Sequence, residues 1–479
     1  MKKMFFFALA AAGMLTACSN DDTLGGNGEQ NASEQQIRLG VASSKVQTRG
    51  TGTVGGMTEA ENVWAGQTLW VYMLQKGSMD LAYYKTPADL GNEQNPPEGT
   101  QEGTVWGTAV FNNKEFNAPK PALKDGSTTE YEKGVNSGIA TAADQSIAYY
   151  PVSGNYDFWG YRVDDAVTLA GDPAVPTVKL LDAEGKVLTD KDVAKAVKRV
   201  VDVKIDGSQD IMVGKATPSA DEVKKLGDYK ENFYSAYAAR KGVQPNITFN
   251  HLLTRFTFEV RAGSPAAAGL GEGAHTEAVR VKGVSVGSKL EGHLTVAYTD
   301  AAKDEPLLTF EDNKPTDKPL ALMQRATADA DHNANLVALE EVALTWPVDE
   351  AGKPKLKDEQ GEVIKTGDVI KVGEALLVAP GEKDYPLTID LAQKVLKSLK
   401  PGSTPEEMEL QQKNNIKIDG VKQFEPGKSY KVTITVYGLE EIQVTVTLVP
   451  WADGGSIDID DDRNPNEGEY TPATPDPEP

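Results

Sequence analysis

The residue whose chemistry is easiest to assign is Cys18, the only cysteine among the 479 residues of the chain. It ends the run Leu15-Thr16-Ala17-Cys18, which follows Lys2, Lys3 and an apolar stretch over residues 4–14. A positive start, a short apolar segment and small residues before a cleavage point are typical of a secretory signal. Ending on cysteine is typical of a bacterial lipobox. The apolar segment is too short to cross a bilayer as a helix. We therefore predict a signal peptide over residues 1–18 and a lipid on Cys18.

The composition argues against several classes of function. With Cys18 used for a lipid, no intramolecular disulfide can form, so stability must come from buried apolar area. The net charge of −22 and the pI near 4.7 lack the basic footprint of a nucleic-acid-binding protein. The sequence has four histidines, no Gly-rich phosphate loop, no His-Glu-x-x-His and no Cys/His metal cluster. It therefore predicts a protein that is not an enzyme, with no catalytic residue, no cofactor and no metal.

One acidic motif near the C-terminus has the spacing of a cation site. Asp458, Asp460 and Asp462 form D-x-D-x-D, and oxygen ligands at this spacing surround Ca²⁺ in EF-hand loops. Such a loop needs glycine at its sixth position, and this chain has Arg463 there. The alternative is a solvated acidic tail that runs on to Pro479. We favour the tail, because a bare pattern match has a high false-positive risk.

His251 and Arg255 form a second candidate. A functional interpretation makes them an active-site pair, and a structural one makes His251 a partly buried brace at the entry to a strand. No local motif places a base or a nucleophile beside them. The structural interpretation is therefore favoured.

The elements that must position these residues are mostly short strands. Residues 19–36 are rich in Gly, Asn, Glu and Gln, a composition that cannot bury a core and is typical of a tether. Apolar residues alternate with other types over residues 37–41, which predicts the first strand. An exposed, flexible stretch is expected to follow, up to Gly52. Further strands, separated by turn residues, are predicted at 69–72, 147–150, 256–260, 279–281, 294–296 and 430–436.

Helical signals are few. Ser219 lies three residues before Glu222, which is the spacing of a capping box and predicts a short helix. Residues 189–201 are either another helix or, being rich in valine, partly strand. One more helix is predicted by three residues at helical spacing, Leu391, Val395 and Leu399.

Many short strands with Gly and Pro turns indicate a mainly β fold of two tandem β-sandwich domains, with a few short helices and long loops. Long polar insertions at residues 91–103, 303–335 and 348–367 are expected to be loops. We place the domain boundary near Gly242. The predicted organisation is a signal peptide at 1–18, a tether and N-terminal strand at 19–49, an N-terminal domain at 50–242, a C-terminal domain at 243–460 and an acidic Pro-rich tail at 461–479.

Several short motifs occur in an order that is itself informative. Residues 246–258, NITFNHLLTRFTF, contain an aromatic-x-His-x-Leu-x-Arg pattern. The others are QDIM at 209–212, ALLVAPG at 375–381, FEPGKSY at 424–430 and VTVTLVPW at 444–451. Together with the lipobox, these segments resemble the fimbrillins, the type V pilin superfamily, from one end of the chain to the other.

The resemblance implies a precursor with two transthyretin-like β-sandwich domains that is delivered to the outer membrane surface by its lipid. The run Ser19-Asn20-Asp21-Asp22 resembles the acidic tag that sends some lipoproteins to the cell surface. In type V pilins an Arg-specific surface protease then cuts once near the N-terminus. The cut removes the lipid and the first strand and leaves a groove, which a terminal strand of another fimbrial subunit fills.

Arg49-Gly50 matches this cut, because it lies in a polar run just behind the predicted first strand. Arg38 is also near, but it lies within that strand, where a protease reaches it less easily. The alternative is that Arg49 is an ordinary loop arginine and that Cys18 remains a permanent anchor.

The donor candidate is the segment Ile442–Val449, continued after residues 451–455 by residues 456–460. Loss of an edge strand exposes unpaired backbone groups and an apolar floor, and an incoming strand restores both by β-augmentation. A groove-filling strand needs apolar residues on one face, and here they are Ile442, Val444, Val446 and Leu448. The alternative is a last strand that never leaves its own sheet.

Two further observations keep other functions open. Shaft subunits of the family end close to the donor strand, so the tail at 461–479 favours an accessory, tip or anchor subunit. The rival from another class is a monomeric surface lipoprotein that binds a glycan or a host protein and never polymerises.

Trp159 and Trp451 flank alternating strands and fit a core, but a sugar-stacking platform could also draw on Trp70, Trp106 and Trp346. A carboxylate-dependent hydrolase is a remote third reading.

Overall fold

The computed structural model describes residues 37, 39–43, 68–76, 106–117, 140–141, 149–151, 154–163, 176–189, 196–227, 234–270, 277–299, 302–311, 319–325, 336–397, 406–449 and 456–457. Strands predominate among these residues, the helices are short, and most paired strands are antiparallel. The predicted mainly β class is therefore confirmed. None of the described helices is long and apolar enough to cross a membrane.

The described strands and helices have the following bounds. The strands are β1 Gly40–Ser43, β2 Thr68–Lys76, β3 Trp106–Asn117, β4 Ala140–Thr141, β5 Tyr156–Val163, β6 Val178–Leu181, β7 Lys198–Lys204, β8 Ile211–Ala216, β9 Asn246–His251, β10 Thr254–Ala262, β11 Arg280–Val286, β12 Glu291–Tyr298, β13 Leu308–Phe310, β14 Leu320–Ala321, β15 Met323–Arg325, β16 Leu336–Ala338, β17 Val342–Ala343, β18 Ile370–Val378, β19 Tyr385–Lys397, β20 Glu406–Ile418, β21 Ser429–Val436, β22 Ile442–Val449 and β23 Ser456–Ile457. The helices are α1 Ala220–Leu226 and α2 Ala236–Arg240, with a 3-10 turn at Pro265–Ala268.

The first sheet has the strand order β23-β1-β9-β8-β5-β2-β3-β4 and is covered on both faces at its centre. In β2, Trp70 and Tyr72 pack into one core, whereas Leu69 and Val71 pack into a second core on the opposite face. Side chains alternate across a strand, so two covered faces require apolar residues at every position. This explains the unbroken apolar run from Leu69 to Leu74.

A second sheet, β13-β12-β7-β6, packs on the first. The ring of Trp159 in β5 meets that of Tyr298 in β12 edge to face, with centroids 4.5 Å apart. The Arg199 guanidinium of β7 lies 5.2 Å from the centre of the Tyr72 ring. The two sheets therefore form a sandwich.

The third sheet, β18-β10-β21-β22, and the fourth, β14-β11-β19-β20 with β17 beside β11, form the other sandwich. Phe256 of β10 meets Tyr385 of β19 with ring centroids 5.2 Å apart, and Phe424 packs edge to face on both rings. The same continuous core reaches into the sandwich of the first two sheets. A small hairpin of β15 and β16 completes the described sheets.

The helix predicted from Leu391 and its neighbours is wrong. Leu391 and Val395 lie in β19, a strand of 13 residues, and Leu399 lies outside the described residues. The buried positions alternate through Tyr385, Leu387, Ile389, Leu391, Gln393 and Val395. A spacing of four residues fits a helix and also fits two steps of a strand, and only the full alternation separates the two.

The capping-box prediction is confirmed. Glu222 donates its backbone N–H to the Ser219 hydroxyl oxygen at 3.3 Å, and the Ser219 N–H donates to a Glu222 carboxylate oxygen at 2.7 Å. For residues 189–201 the strand alternative holds where the chain is described, because β7 begins at Lys198. The insertion at 348–367 is an irregular segment with two isolated bridges, as a loop prediction allows.

The boundary predicted near Gly242 stays a prediction. Strands that follow residue 242 join two sheets whose other strands precede it. β9 follows residue 242 but pairs with β8 in the first sheet. β12 also follows it and pairs with β7. The chain passes from the first sheet to the third between His251 and Thr254.

Candidate strand-exchange site

β1 lies inside the first sheet, between β9 and β23. It runs parallel to β9 in the register that pairs Gly40 with Asn246 and Ser43 with Phe249. The Gly40 N–H donates to the Pro245 carbonyl at 3.0 Å. Among the described strands of this sheet, all other neighbouring pairs are antiparallel.

The residues just before β1 fill the second core. Ile37 is 8% exposed and Leu39 is 3% exposed, and both join the cluster that contains Ile247 and Phe249 of β9. The strand predicted at 37–41 is thus formed from Gly40 onward, and its first apolar residues are buried as an inserted strand requires. Burial of each such side chain contributes about 1.5–3 kcal/mol.

The core that contains Ile37 and Leu39 also contains a group of aromatic side chains, called here the aromatic floor. Phe158 lies at its centre, with ring centroids 5.5 Å from Tyr234, 6.1 Å from Tyr150 and 6.4 Å from Phe111. All four residues are buried in the second core. Edge-to-face rings of this kind hold one another in fixed orientations, so the floor should keep its shape when the strand above it is lost.

β9 is held in place independently of β1. Gly160, Gly214 and Phe249 form one row across β5, β8 and β9. A Cβ on Gly160 would lie 2.7 Å from the tip of the Phe249 ring, and a Cβ on Gly214 would lie 2.3 Å from the Thr248 carbonyl oxygen. The two glycines therefore leave the room that the Phe249 ring and the β9 backbone occupy.

A buried charge cluster fixes the end of β9. Asp210 accepts at 2.7 Å from Nδ1 of His251, and an Arg162 nitrogen lies 3.9 Å from the same oxygen. Burial opposes ionisation of the Asp210 carboxyl, but His251, Arg162 and Arg255 together outweigh it and hold its pKa below the usual value. His251 and Arg255 both act on Asp210, in a buried cluster at the corner between β9 and β10, which agrees with the structural interpretation of His251.

The predicted donor segment is β22, the edge strand of the third sheet. Its sequence, IQVTVTLV, contains no charged residue. Ile442, Val444 and Val446 are partly buried and pack on the core, whereas Leu448, on the same face by alternation, is 53% exposed. Among the described strands, its only partner is β21, over the register Val436↔Ile442 to Ser429↔Val449.

The two ends of β22 differ. At its start, the preceding turn is tied to β20 by the Asn414 side-chain amide, which donates to the Leu439 carbonyl at 2.7 Å. At its end, the Leu448 side chain is exposed to solvent. Detachment would therefore begin more easily from Val449 than from Ile442.

Several predicted residues lie outside the part of the chain that the structure describes: Cys18, Arg49, Gly50, Trp451 and the aspartates of the D-x-D-x-D motif. Trp70, Trp159 and Trp346 are buried and cannot stack on a sugar. Among the described residues, no group of three His, Cys, Asp or Glu side chains is placed to hold a metal ion.

Sequence reasoning missed the position of β23. The sequence predicts that residues 456–460 continue the donor strand, whereas Ser456 and Ile457 pair antiparallel with β1, opposite Ala42 and Val41. Residues 458–460 lie outside the described part of the chain. The alternation Ser-Ile-Asp-Ile-Asp marks a strand, and nothing local in it identifies the partner.

No family model matches the sequence, and no curated protein matches it. Among solved structures, the chain is similar to a candidate cell adhesion protein from Bacteroides uniformis, with 14% identity, coverage of 88% of this chain and 100% of that one, and a TM-score of 0.34. A candidate cell adhesion protein from Bacteroides eggerthii gives 13% identity, 87% and 96% coverage and a TM-score of 0.32. The fimbrial anchor protein Mfa2 from Porphyromonas gingivalis gives 8% identity, 87% and 97% coverage and a TM-score of 0.29. These likenesses are remote, so a function for this chain has to rest on its own residues.

Proposed function

We propose that this chain is a fimbrial structural or adhesive subunit that is exported as a lipoprotein, cut after Arg49 and assembled by donor-strand exchange. The observation that carries the proposal is the place of β1. The segment that a cut after Arg49 would release is a strand of the first sheet, and Ile37 and Leu39, just before it, fill an aromatic core.

Release of residues 1–49 would leave a specific acceptor. β9 would lose its parallel partner, so its backbone groups on that side would need a new strand. The positions of Ile37 and Leu39 would open in the second core, which also contains the aromatic floor. Because β9 is fixed by Phe249 and by the Asp210 cluster, the acceptor would be preorganised for an incoming strand.

β22 has the properties of a donor. It is long enough, with eight residues against six in β9, and it offers four alternating apolar residues. Three of these are only partly buried in their own sheet. When β22 leaves its own sheet, it would therefore expose less apolar area than it would bury in a closed groove of another subunit.

The remaining parts of the proposal concern partners and location. A lipid on Cys18 would tether the precursor to the outer membrane at the cell surface, and an Arg-specific surface protease would release it. Other fimbrial subunits, of the same or a related sequence, would supply and receive strands. An adhesive ligand, glycan or host protein, would be bound elsewhere on the subunit.

The test is to treat purified precursor with an Arg-specific protease and run a gel without boiling. We expect a ladder that is lost in Arg49→Ala and kept in Arg240→Ala, a matched control at an exposed arginine at the end of α2. Val446→Asp, on the inward face of β22, should abolish the ladder, whereas Thr445→Asp on its outward face should not. Clean cleavage at Arg49 that yields only monomer would sink donor-strand assembly by this chain alone.

A further inference from the structure

A cavity of about 350 Å³ opens at the end of the second sandwich where β10 and β21 finish. It lies between three elements: the 3-10 turn Pro265–Ala268, the strand β19 at Gln393, and the turn over residues 437–441 that joins β21 to β22. This volume is at the lower end of the range for ligand sites in proteins. It therefore favours a group of the size of one amino-acid side chain over an oligosaccharide.

The lining combines apolar residues with one buried polar side chain. Ala266, Ala267 and Leu439 supply the apolar part. Gln393 also lines the cavity, although it is only 2% exposed. Its Nε2 atom donates to the Glu277 carbonyl at 3.1 Å. The carboxamide oxygen of Gln393 is thus the atom that remains to accept a hydrogen bond from a ligand.

The wall formed by Tyr437 and the turn behind it is held in place without a ligand. The Tyr437 N–H donates to the Glu441 carbonyl at 2.9 Å, and the Ser264 hydroxyl donates to the Tyr437 carbonyl at 3.1 Å. A Cβ on Gly263 would lie 2.5 Å from the Tyr437 ring, so the ring packs directly on the backbone there. A wall that is already ordered lowers the cost of binding.

The charge of the lining is negative. Glu440 and Glu441 belong to it and are exposed, and neither forms an ion pair with another described residue. Lys394, next to Gln393 in β19, is paired with Glu277 at 3.1 Å. Carboxylates only accept hydrogen bonds and an ammonium group only donates them. The lining therefore suits a cation, which the net charge of −22 also attracts.

We infer that this cavity is a binding site for a lysine side chain of a partner protein. The three N–H donors of an ammonium group equal in number the acceptor groups of the lining, Gln393, Glu440 and Glu441. The four-carbon stem would contact the apolar residues, and the Tyr437 ring adds an aromatic surface that attracts cations. The site goes beyond the proposed function, because it requires neither a cut after Arg49 nor a transferred strand.

Methyl NMR of the uncut Cys18→Ser chain, with ¹³C-labelled alanine methyl groups, tests this site. The resonances of Ala266 and Ala267 are those lost in Ala266→Ser and Ala267→Ser. The probe is Nα-acetyl-lysine N-methylamide. We expect saturable shifts of both resonances with a Kd in the mM range, as a ligand of this size gives. The norleucine derivative, which lacks only the ammonium group, should bind about tenfold more weakly.

A matched pair of variants separates the local carboxylates from the charge of the whole protein. Glu440→Gln with Glu441→Gln should weaken binding of the lysine probe about tenfold, because both charged acceptors are lost. Glu184→Gln with Glu425→Gln removes the same charge at two exposed glutamates outside the lining. This control should leave the Kd within about twofold of the parent value.

A third variant tests the cavity itself. Ala266 is exposed and lines the cavity, so Ala266→Leu should fill the space and abolish the shift of the Ala267 methyl group. A thermal unfolding midpoint equal to that of the parent would show that the variant is folded.

Four results would overturn the inference. The first is the absence of a saturable shift at up to about 100 mM lysine probe. The second is equal affinity for the lysine and norleucine derivatives, and the third is an unchanged Kd in the Glu440→Gln, Glu441→Gln chain. The fourth is tighter binding of n-butylammonium than of the lysine probe, which would assign the cavity to a free amine. Since the chain is uncut throughout, failure of strand exchange would not change any of these readouts.

Discussion

Truncation of Leu39 should weaken the precursor and leave the cut subunit unaffected. Leu39 is 3% exposed, so Leu39→Ala removes three buried carbons, worth about 0.8 kcal/mol each or roughly 2.4 kcal/mol in transfer free energy. The aromatic floor cannot easily collapse into the space, so a cavity term adds to this. We expect a loss of about 3–4 kcal/mol, within the ~2–5 kcal/mol measured for buried Leu→Ala changes.

The assay is urea unfolding, followed by tryptophan fluorescence, of Cys18→Ser protein before and after removal of residues 1–49. Before the cut, the free energy of unfolding of Leu39→Ala should be lower by the stated amount at an unchanged slope. After the cut, parent and variant have the same sequence from Gly50 onward, so their curves should coincide. Val187→Ala, at an exposed apolar residue, is the matched control and should change stability by less than about 0.5 kcal/mol in both forms.

Either of two results would refute this reasoning. A loss below about 1 kcal/mol in the uncut chain would mean that Leu39 does not fill the second core as a well-packed residue does. Curves for the two cut proteins that differ would mean that residues 1–49 stay attached after cleavage, so no groove is opened.

Three further predictions concern the parts that hold the site. Asp210→Asn should lower the free energy of unfolding by about 3–5 kcal/mol at pH 7, as loss of a buried charge partner does. The pKa of the Asp210 carboxyl is lowered in the folded protein, so the ionised carboxylate stabilises the fold above about pH 4. In urea unfolding, the difference in free energy of unfolding between parent and variant should therefore shrink as the pH falls below about 4. Ser219→Ala should cost about 1 kcal/mol through loss of the N-cap, seen as a lower midpoint of thermal unfolding. Gly214→Ala should cost about 1–3 kcal/mol, because its Cβ would lie 2.3 Å from the Thr248 carbonyl oxygen. Gly438→Ala, where a Cβ meets nothing within 4 Å, should be neutral, and equal effects at both glycines would contradict the packing described for β9.

Elements specified by local signals could be predicted from the sequence. The helix α1 is predicted by Ser219 and Glu222. Their reciprocal hydrogen bonds form within four consecutive residues, so the signal is local. β10, β12 and β21 carry alternation or apolar runs strong enough to be identified alone, and all three are present where predicted. The mainly β class follows from the same information.

What could not be predicted is which strands pair. β1 pairs with β9, about 200 residues later in the chain, and with β23 near the C-terminus. Pairing over such distances depends on the packing of the whole sheet, and a short strand such as Gly40–Ser43 carries almost no information about its partner. For the same reason the sequence does not reveal that Ser456 and Ile457 pair with β1 in the first sheet.

The two edge strands on neighbouring sheets show how exchange could be directed. β20 carries five charged residues, Glu406, Glu407, Glu409, Lys413 and Lys417, and such charges keep an exposed edge from pairing with other chains. β22 carries none, although it is an equally terminal strand of its sheet. A chain that had only to remain monomeric would need charge on both edges. Here the uncharged edge is also the half-buried one, while the residues before β1 are deeply buried over a fixed aromatic floor. Under the proposed function, a shallow donor and a deep acceptor would favour transfer of β22 to the β9 edge of another subunit once β1 has left.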